Sequence, residues 1–450
     1  MRYISLLSIF LMVFSPVVIG QTISLERLFQ MADESNIHLK VMQMDVEGSQ
    51  YDERTARSQL LSSVNVGLSG SYTGDVLLMS RGFSTGGSSE VIVPGLGPQM
   101  VSNGAQPMPH WGQSFSVQAS QVVFAGGSIK AGVRLAELAG QMAEIGMEQS
   151  RQQVRFVLTG HYLDLCRLYN QSAVVEQNIA VTQRLINNMR ARCEQGTVLK
   201  NDITRYELQQ QQLRLLLTRV QSAIRVTNHH IARMLDAPDS MTFVPDTAAL
   251  AAATATAVSL TEWMRRATTN NNAMRQTAVA TSMAEQQLVA AHGELLPSAA
   301  IVVGDNLFGP YTNDLIPVNS NVNIWFVELC VKYDLSSLWK KRHAESKAKV
   351  GLRQAQMRQV LAAKEVADEV YESYDNMLTA MTDVSTCDKQ VQLAAENYDI
   401  VSRRYGSDLV LLTDMLDASN MKLSAEIALS DARINLLYAY YKLKYIAGEL

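Results

Sequence analysis

Two very long stretches without proline limit what this chain can become. From Ser128 to Glu194 the weak breakers are Gly132, Gly140, Gly146 and Gly160, and from Trp339 to Tyr405 there is just Gly351. A helix of about 65 residues spans about 100 Å at 1.5 Å per residue, far beyond the usual globular helix. Each stretch is followed by a turn and a second helical pattern. In the first of these, Leu213, Leu217, Val220, Ile224, Ile231 and Leu235 step by threes and fours, the spacing of a coiled-coil seam. Antiparallel hairpins of this length are not stable alone, so they must pack laterally on others.

The hairpins belong to a duplicated plan. Ser24-Leu25 answers Ser259-Leu260, Asn36 answers Asn271, and Leu60-Leu61-Ser62-Ser63 answers Leu295-Leu296-Pro297-Ser298, all at one offset. Further on, Gly196 to Asp202 answers Asp408 to Asp414 at a shorter offset. The difference falls in the Gly/Ser/Pro-rich stretch Arg81–His110, an insert in the first copy. One supersecondary element used twice predicts an array rather than two unrelated domains.

Between the leading helix (Leu25 to about Gln59, with Ser24 as N-cap) and the long helix, each copy carries two strand patterns. Val64, Val66 and Leu68 alternate with Asn65, Gly67 and Ser69; Phe115, Val117 and Ala119 alternate with Ser116, Gln118 and Ser120. That period of two marks strands with one apolar and one wet face. In the second copy Ala300–Phe308 and Val322–Asp334 take these places, with Val322, Ile324 and Phe326 read as the apolar set against Asn321, Asn323 and Trp325. Four strands cannot close a membrane barrel, so several chains must contribute to one.

Residues 1–20 read as a secretory signal: Arg2, an apolar run from Leu6 to Phe14, and the small-residue context Val18-Ile19-Gly20. The same run read as a transmembrane anchor is short and interrupted by Pro16. No later segment is apolar for long enough to cross a bilayer as a helix. With 39 basic and 43 acidic residues the chain has a net charge of −4 and no basic stripe for nucleic acid. Cys166, Cys193, Cys330 and Cys387 lack metal-site spacing and read as packing residues.

With these features in order, the chain resembles the TolC family of outer-membrane efflux factors along nearly its whole length. Leu296-Pro297-Ser298 matches the family element before a first strand, Val123-Phe124-Ala125-Gly126-Gly127 the element after a second strand, and Tyr405 through Asp414, Asp417 and Ala418 the helix tip. The resemblance implies a mostly α fold with a transmembrane β-barrel. It implies a homotrimer with four strands and two long antiparallel helix hairpins from each chain, and an α-helical tunnel across the periplasm. It further implies a periplasmic adaptor and an inner-membrane pump as partners, contact with outer-membrane lipid, no cofactor and no enzymatic activity.

By position, the family's channel constriction falls on Asp414 and Asp417, and its gate contacts on Tyr405 and Asp202. The adaptor-docking tips fall on Gly196, Thr197, Val198 and Leu199, and on Asp408, Leu409 and Val410. Three departures stand out. Asp408 occupies the family's glycine position, with Gly406 earlier in the turn to share the strain. Val410 replaces a basic residue of some members. Asp334-Leu335-Ser336-Ser337 replaces the Gly-Gly bend in the second copy.

The expected organisation is therefore a signal at 1–20 and a first repeat at 21–238, with strands near 62–80 and 111–125 and a hairpin at 128–235. A linker at 239–258 leads to a second repeat at 259–450, with strands near 298–311 and 320–335 and a hairpin at 339–447. The competing class is a structural periplasmic coiled-coil protein with no channel. Ser337-Leu338-Trp339-Lys340 has a serine–lysine spacing without its companion motifs. His229-His230 and His161 with Asp164 lack a third metal ligand, and Pro94-Gly95-Leu96-Gly97 lacks the lysine of a phosphate loop.

Overall fold

The computed structural model describes residues 21–72, 74, 90–93, 97–100, 110–196, 198–238, 241–246, 258–312, 317–318, 321–407 and 409–450. The signal segment, most of the Arg81–His110 insert, most of the 239–258 linker, and the tip residues Thr197 and Asp408 lie outside the described residues.

In chain order the first half runs β1 (Gln21–Ile23), α1 (Leu25–Ser35), α2 (Ile37–Ser58), β2 (Ser63–Tyr72), β3 (Glu90–Val93), β4 (Gly97–Met100), β5 (Trp111–Ala125), α3 (Ser128–Glu194), α4 (Lys200–Met234) and β6 (Phe243–Pro245). The second half runs α5 (Leu260–Asn270), α6 (Asn272–Gly293), β7 (Ser298–Gly309), β8 (Tyr311–Thr312), β9 (Pro317–Val318), β10 (Val322–Lys332), α7 (Ser337–Lys340), α8 (Arg342–Gly406) and α9 (Leu412–Ile446). The long helix of the first copy has the bounds its proline-free stretch predicts. That of the second is interrupted at Lys341, between α7 and α8.

The leading helix does not run unbroken to Gln59. Asn36 is extended (φ −60°, ψ 122°) and divides it. Its side chain has two tasks: Oδ1 accepts from the Leu39 N–H at 3.2 Å, starting α2, and Nδ2 donates to the Met234 carbonyl at 2.7 Å, where α4 ends. Asn271 does the same in the second half. It is extended (φ −61°, ψ 128°), its Oδ1 accepts from Ala273 N–H at 2.9 Å, and its Nδ2 donates to the Ile446 carbonyl at 2.8 Å, where α9 ends. Ser24 and Ser259 cap α1 and α5 through the N–H of Arg27 and Glu262, both at 3.3 Å.

The chain forms two compact units, each drawing on both halves of the sequence. One comprises Gln50–Glu137 and Met283–Arg353 and contains the antiparallel sheet β10-β7-β5-β2. Its register sorts the side chains into two faces. Across the strands, Val64–Ala119–Val303–Val327 and Val66–Val117–Asp305–Trp325 form rows on one face; Asn65–Gln118–Gly304–Phe326 and Gly67–Ser116–Asn306–Ile324 form rows on the other. The apolar face of β10 is therefore Trp325, Val327, Leu329 and Val331. Val322, Ile324 and Phe326, predicted to be that face, lie among the serines, asparagines and glutamines, and the Phe326 ring occupies the space a Cβ at Gly304 would need.

Two different devices turn strand into helix in this unit. After β5, Gly126 (φ +61°) and Gly127 (φ +86°) adopt left-handed geometry, and a Cβ on Gly126 would overlap the Gly293 backbone. After β10, the Asp334 carboxylate accepts from the Ser336 N–H at 3.0 Å and from its hydroxyl at 2.8 Å. This aspartate turn replaces the missing glycines without a positive φ.

The other unit comprises Gln21–Ser49, Leu138–Ser282 and Gln354–Leu450 among the described residues, and is helical apart from the parallel pair β1–β6. One buried cluster joins Leu28 and Ala32 to Leu158, Leu165, Ile231, Phe243 and Leu437; another joins Trp263 to Val370, Met377 and Leu443. Tyr162 anchors β1 and the segment after β6, donating to the Ile23 carbonyl at 2.9 Å and accepting from the Asp246 N–H at 3.1 Å. Burial pushes its hydroxyl pKa well up. Cys166 sits beside it in the same core, its thiol pushed up to about 12 by burial.

Candidate functional site at the helix tips

Within the helical unit the ends of both long hairpins share one apolar cluster. Ile186 and Met189 of α3, Ile203 and Tyr206 of α4, and Leu412 and Met415 of α9 form its buried centre, with Tyr398, Val401 and Tyr405 of α8 packed against it. The three- and four-residue spacing of Leu412, Met415 and Leu416 turns one side of α9 inward. Asp414 and Asp417 consequently lie on its exposed side, within the first two turns.

Asp414 also has a local task. Its carboxylate accepts from the Leu411 N–H at 3.1 Å, satisfying a donor at the start of α9. This is the reverse half of a capping box; the forward half needs an acceptor that a leucine side chain lacks. Asp202 occupies the matching first turn of α4, partly exposed, with its N–H bonded to the Leu199 carbonyl at 3.0 Å. Tyr405 is half-buried in the cluster.

The two turns differ. In the first, Gly196 adopts φ +75° and its N–H bonds to Cys193 at 2.9 Å. In the second, Gly406 is the last residue of α8 and has no positive φ, so it takes none of the strain the sequence reading gave it. The apolar residues at the tips also need correction. Leu199 and Leu409 are exposed as expected, at 72% and 74%, but Val198 and Val410 are half-buried, and Leu411 is exposed in their place.

No protein-family model matches the chain, and no curated protein matches it in sequence. Solved structures do match. The outer membrane protein VceC of Vibrio cholerae aligns with a TM-score of 0.75 over 94% of this chain and 96% of its own, at 14% identity. CusC aligns at 0.76 over 94% and 92%, at 12% identity. The MtrE outer membrane channel of Neisseria gonorrhoeae, solved in its open state, aligns at 0.71 over 95% and 89%, at 14% identity. The fold is TolC-like. At these identities the shared feature is the backbone path, so side-chain roles must come from this chain's own geometry.

Two features of this TolC-like tip escaped the sequence reading. Tyr206 is 2% exposed, and among the described residues its buried hydroxyl has no hydrogen-bond partner. Burial raises its pKa, reinforced by Tyr405 and Tyr398 nearby. It lies one helical turn after Asp202, within a seam of apolar residues that gives no sign of a sealed phenol. The second feature is Arg205. It stands in the first hairpin where Asp417 stands in the second, and its side chain is exposed. Val410 removes one possible cationic counterweight at the tip; Arg205 is another, one helix away.

The other candidates resolve into packing. His161 and His230 stack at 5.5 Å between ring centroids, and burial, followed by the charge of His230, lowers the His161 pKa. Among the described residues no group of three His, Cys, Asp or Glu side chains is placed to hold a metal ion. Ser337 is buried.

Proposed function

We propose that the chain is a passive exit duct of the outer membrane, serving a tripartite efflux or secretion system. Three copies pool their strands into one barrel, and their helices line a tunnel through the periplasm. The observation that carries this reading is the four-stranded sheet. One face is wet; the other exposes Val66, Leu68, Trp325 and Leu329 at 66%, 83%, 76% and 67%. Among the described residues β2 and β10 each have one strand partner, leaving an edge open. Water favours neither a bare apolar face nor unpaired edges. Lipid covers the first, and neighbouring copies close the second. A soluble coiled-coil protein offers no remedy for either.

In the trimer, Asp414 and Asp417 ring the narrow mouth. Carboxylates about 6 Å apart repel by about 0.7 kcal/mol in water, which favours a bound multivalent cation. Arg205 supplies part of the counter-charge that Val410 does not. Tyr405 with Asp202 restrains the closed tip, and the exposed Leu199 and Leu409 meet the adaptor and pump assembly.

Light scattering of the detergent-solubilised protein should give a trimer, and planar bilayers should show conductance blocked by trivalent cations from the tip side. Asp414→Ala with Asp417→Ala should abolish the block, while Tyr405→Phe raises conductance and keeps it. A monomer without conductance refutes the duct. Undiminished block in the double variant returns the aspartates to helix capping and solvation.

A further inference from the structure

The second strand-to-helix junction carries a feature that the first lacks. Between 332 and 349 the sequence places six Lys and Arg against two acids, in a chain whose net charge is negative. The corresponding stretch after β5 has Lys130 and Arg134, and Arg134 is paired with Glu137 at 2.7 Å.

At the second junction the nearby acids are already engaged within the protein. Asp334 is held by Ser336, Glu294 by Lys341 at 3.2 Å, and Glu345 by Lys349 at 2.9 Å. Lys340 and Arg342 are exposed, and among the described residues neither has an ion pair, whereas Lys332 lies on the wet face of β10 with Ile324 and Phe326. Interleaved with them are Leu335, Leu338 and Trp339, exposed at 61%, 50% and 63%. The aspartate turn and the buried Ser337 fix the short bend that presents them. This patch continues directly from Leu329 and Val331 on the apolar face of β10.

We infer that this junction is a docking surface for anionic phospholipid headgroups of the periplasm-facing leaflet. The inference rests on the duct reading, which puts β10 in lipid with its helix end toward the periplasm. Trp339 and the two leucines lie at the depth where apolar and polar regions meet, as interfacial aromatics do. Lys340 and Arg342 face the phosphates, and the local excess of Lys and Arg over acids favours headgroups with net negative charge over zwitterionic ones. The first junction exposes Val123 and Phe124 but, among the described residues, offers only Lys130 beside an Arg134 paired with Glu137, so it lacks the basic half of this surface. A trimer would then carry three such patches around its rim, alternating with three less basic junctions.

The test uses the full-length trimer reconstituted in vesicles of phosphatidylcholine alone or with phosphatidylglycerol, with bound lipid exchanged against brominated analogues and read by tryptophan quenching. Phosphatidylglycerol should be preferred by about tenfold at the Trp339 position, the scale expected of one to two interfacial charges. Lys340→Gln with Arg342→Gln should reduce that preference to near parity while conductance persists; Lys130→Gln should leave it intact. Trp339→Phe removes the reporter and identifies its share of the signal. Parity in the wild-type protein, or equal loss in the Lys130→Gln control, overturns the headgroup site while leaving the duct standing. Failure to insert into either vesicle removes the duct reading and the headgroup site with it.

Discussion

Asn36 and Asn271 provide the sharpest quantitative test of how this chain is assembled. Each breaks a leading helix, starts the next, and holds the last carbonyl of a return helix, Met234 or Ile446. Truncation to alanine removes both bonds. Loss of an N-terminal cap costs about 1 kcal/mol, and a carbonyl left unsatisfied costs about 1–3 kcal/mol, so about 2–4 kcal/mol should be lost locally. The first copy has a reserve: the Ser35 hydroxyl donates to the neighbouring Leu235 carbonyl at 2.6 Å. Asn36→Ala should therefore lie toward the lower end of that range and Asn271→Ala toward the upper.

Hydrogen exchange on the detergent-solubilised protein measures these openings directly. The predicted loss accelerates exchange by about thirtyfold to several hundredfold where local opening controls it. Asn36→Ala should act at the end of α4, and Asn271→Ala at the end of α9. The clusters behind the two sites are separate, so the effects should add. Asn36→Asp retains the cap acceptor but sets a carboxylate against the Met234 carbonyl, and acidification, which supplies a donor, should narrow its loss. Unchanged exchange at both helix ends, or effects exchanged between them, would refute the reasoning.

Two further outcomes follow from burial and register. Leu68→Arg, on the exposed apolar face, should cost about 2–4 kcal/mol if that face meets the middle of a bilayer, whereas Ser69→Arg on the wet face should be far milder; heat-resistant trimer on gels reads the difference, and equal tolerance of both would put the sheet in water. Tyr206→Phe removes a buried hydroxyl with no partner among the described residues and should stabilise the tip by about 1–3 kcal/mol, seen as slower exchange in α4 and α9; faster exchange would mean that the hydroxyl gains a partner on assembly.

The elements legible in the sequence are those written in long or repeated signals. Ser128 to Glu194 emerges as one helix because a proline-free stretch of that length leaves little else for the backbone to do. Val64, Val66 and Leu68 emerge on one face because their alternation is unambiguous. In β10 both parities carry apolar residues, Val322, Ile324 and Phe326 on one and Trp325, Val327 and Leu329 on the other. Alternation alone cannot choose between them. The choice comes from pairing with β7, where Val327 stands opposite Val303 and Phe326 opposite Gly304.

The same reasoning explains why the tip was only half legible. Asp414 and Asp417 are visible as a pair, and their outward face follows from Leu412 and Met415 turning inward. Asn36 gave no such notice. An asparagine inside a helical pattern is only mildly unfavourable, and what breaks the helix is a carbonyl nearly two hundred residues away in sequence. Tyr206 and Arg205 were hidden for a related reason. Each lies on a helix whose apolar seam is sufficient to predict the helix, so nothing local distinguishes a phenol that will be sealed beneath Tyr405 from one that faces water. The pairing of the two hairpin ends in one cluster supplies that distinction. It also gives the second hairpin's acidic pair a counterpart, Asp202 and Arg205, of mixed charge. On the proposed duct reading, a cation at the tip is expected to bind chiefly at Asp414 and Asp417, because only the second copy presents two carboxylates at those positions.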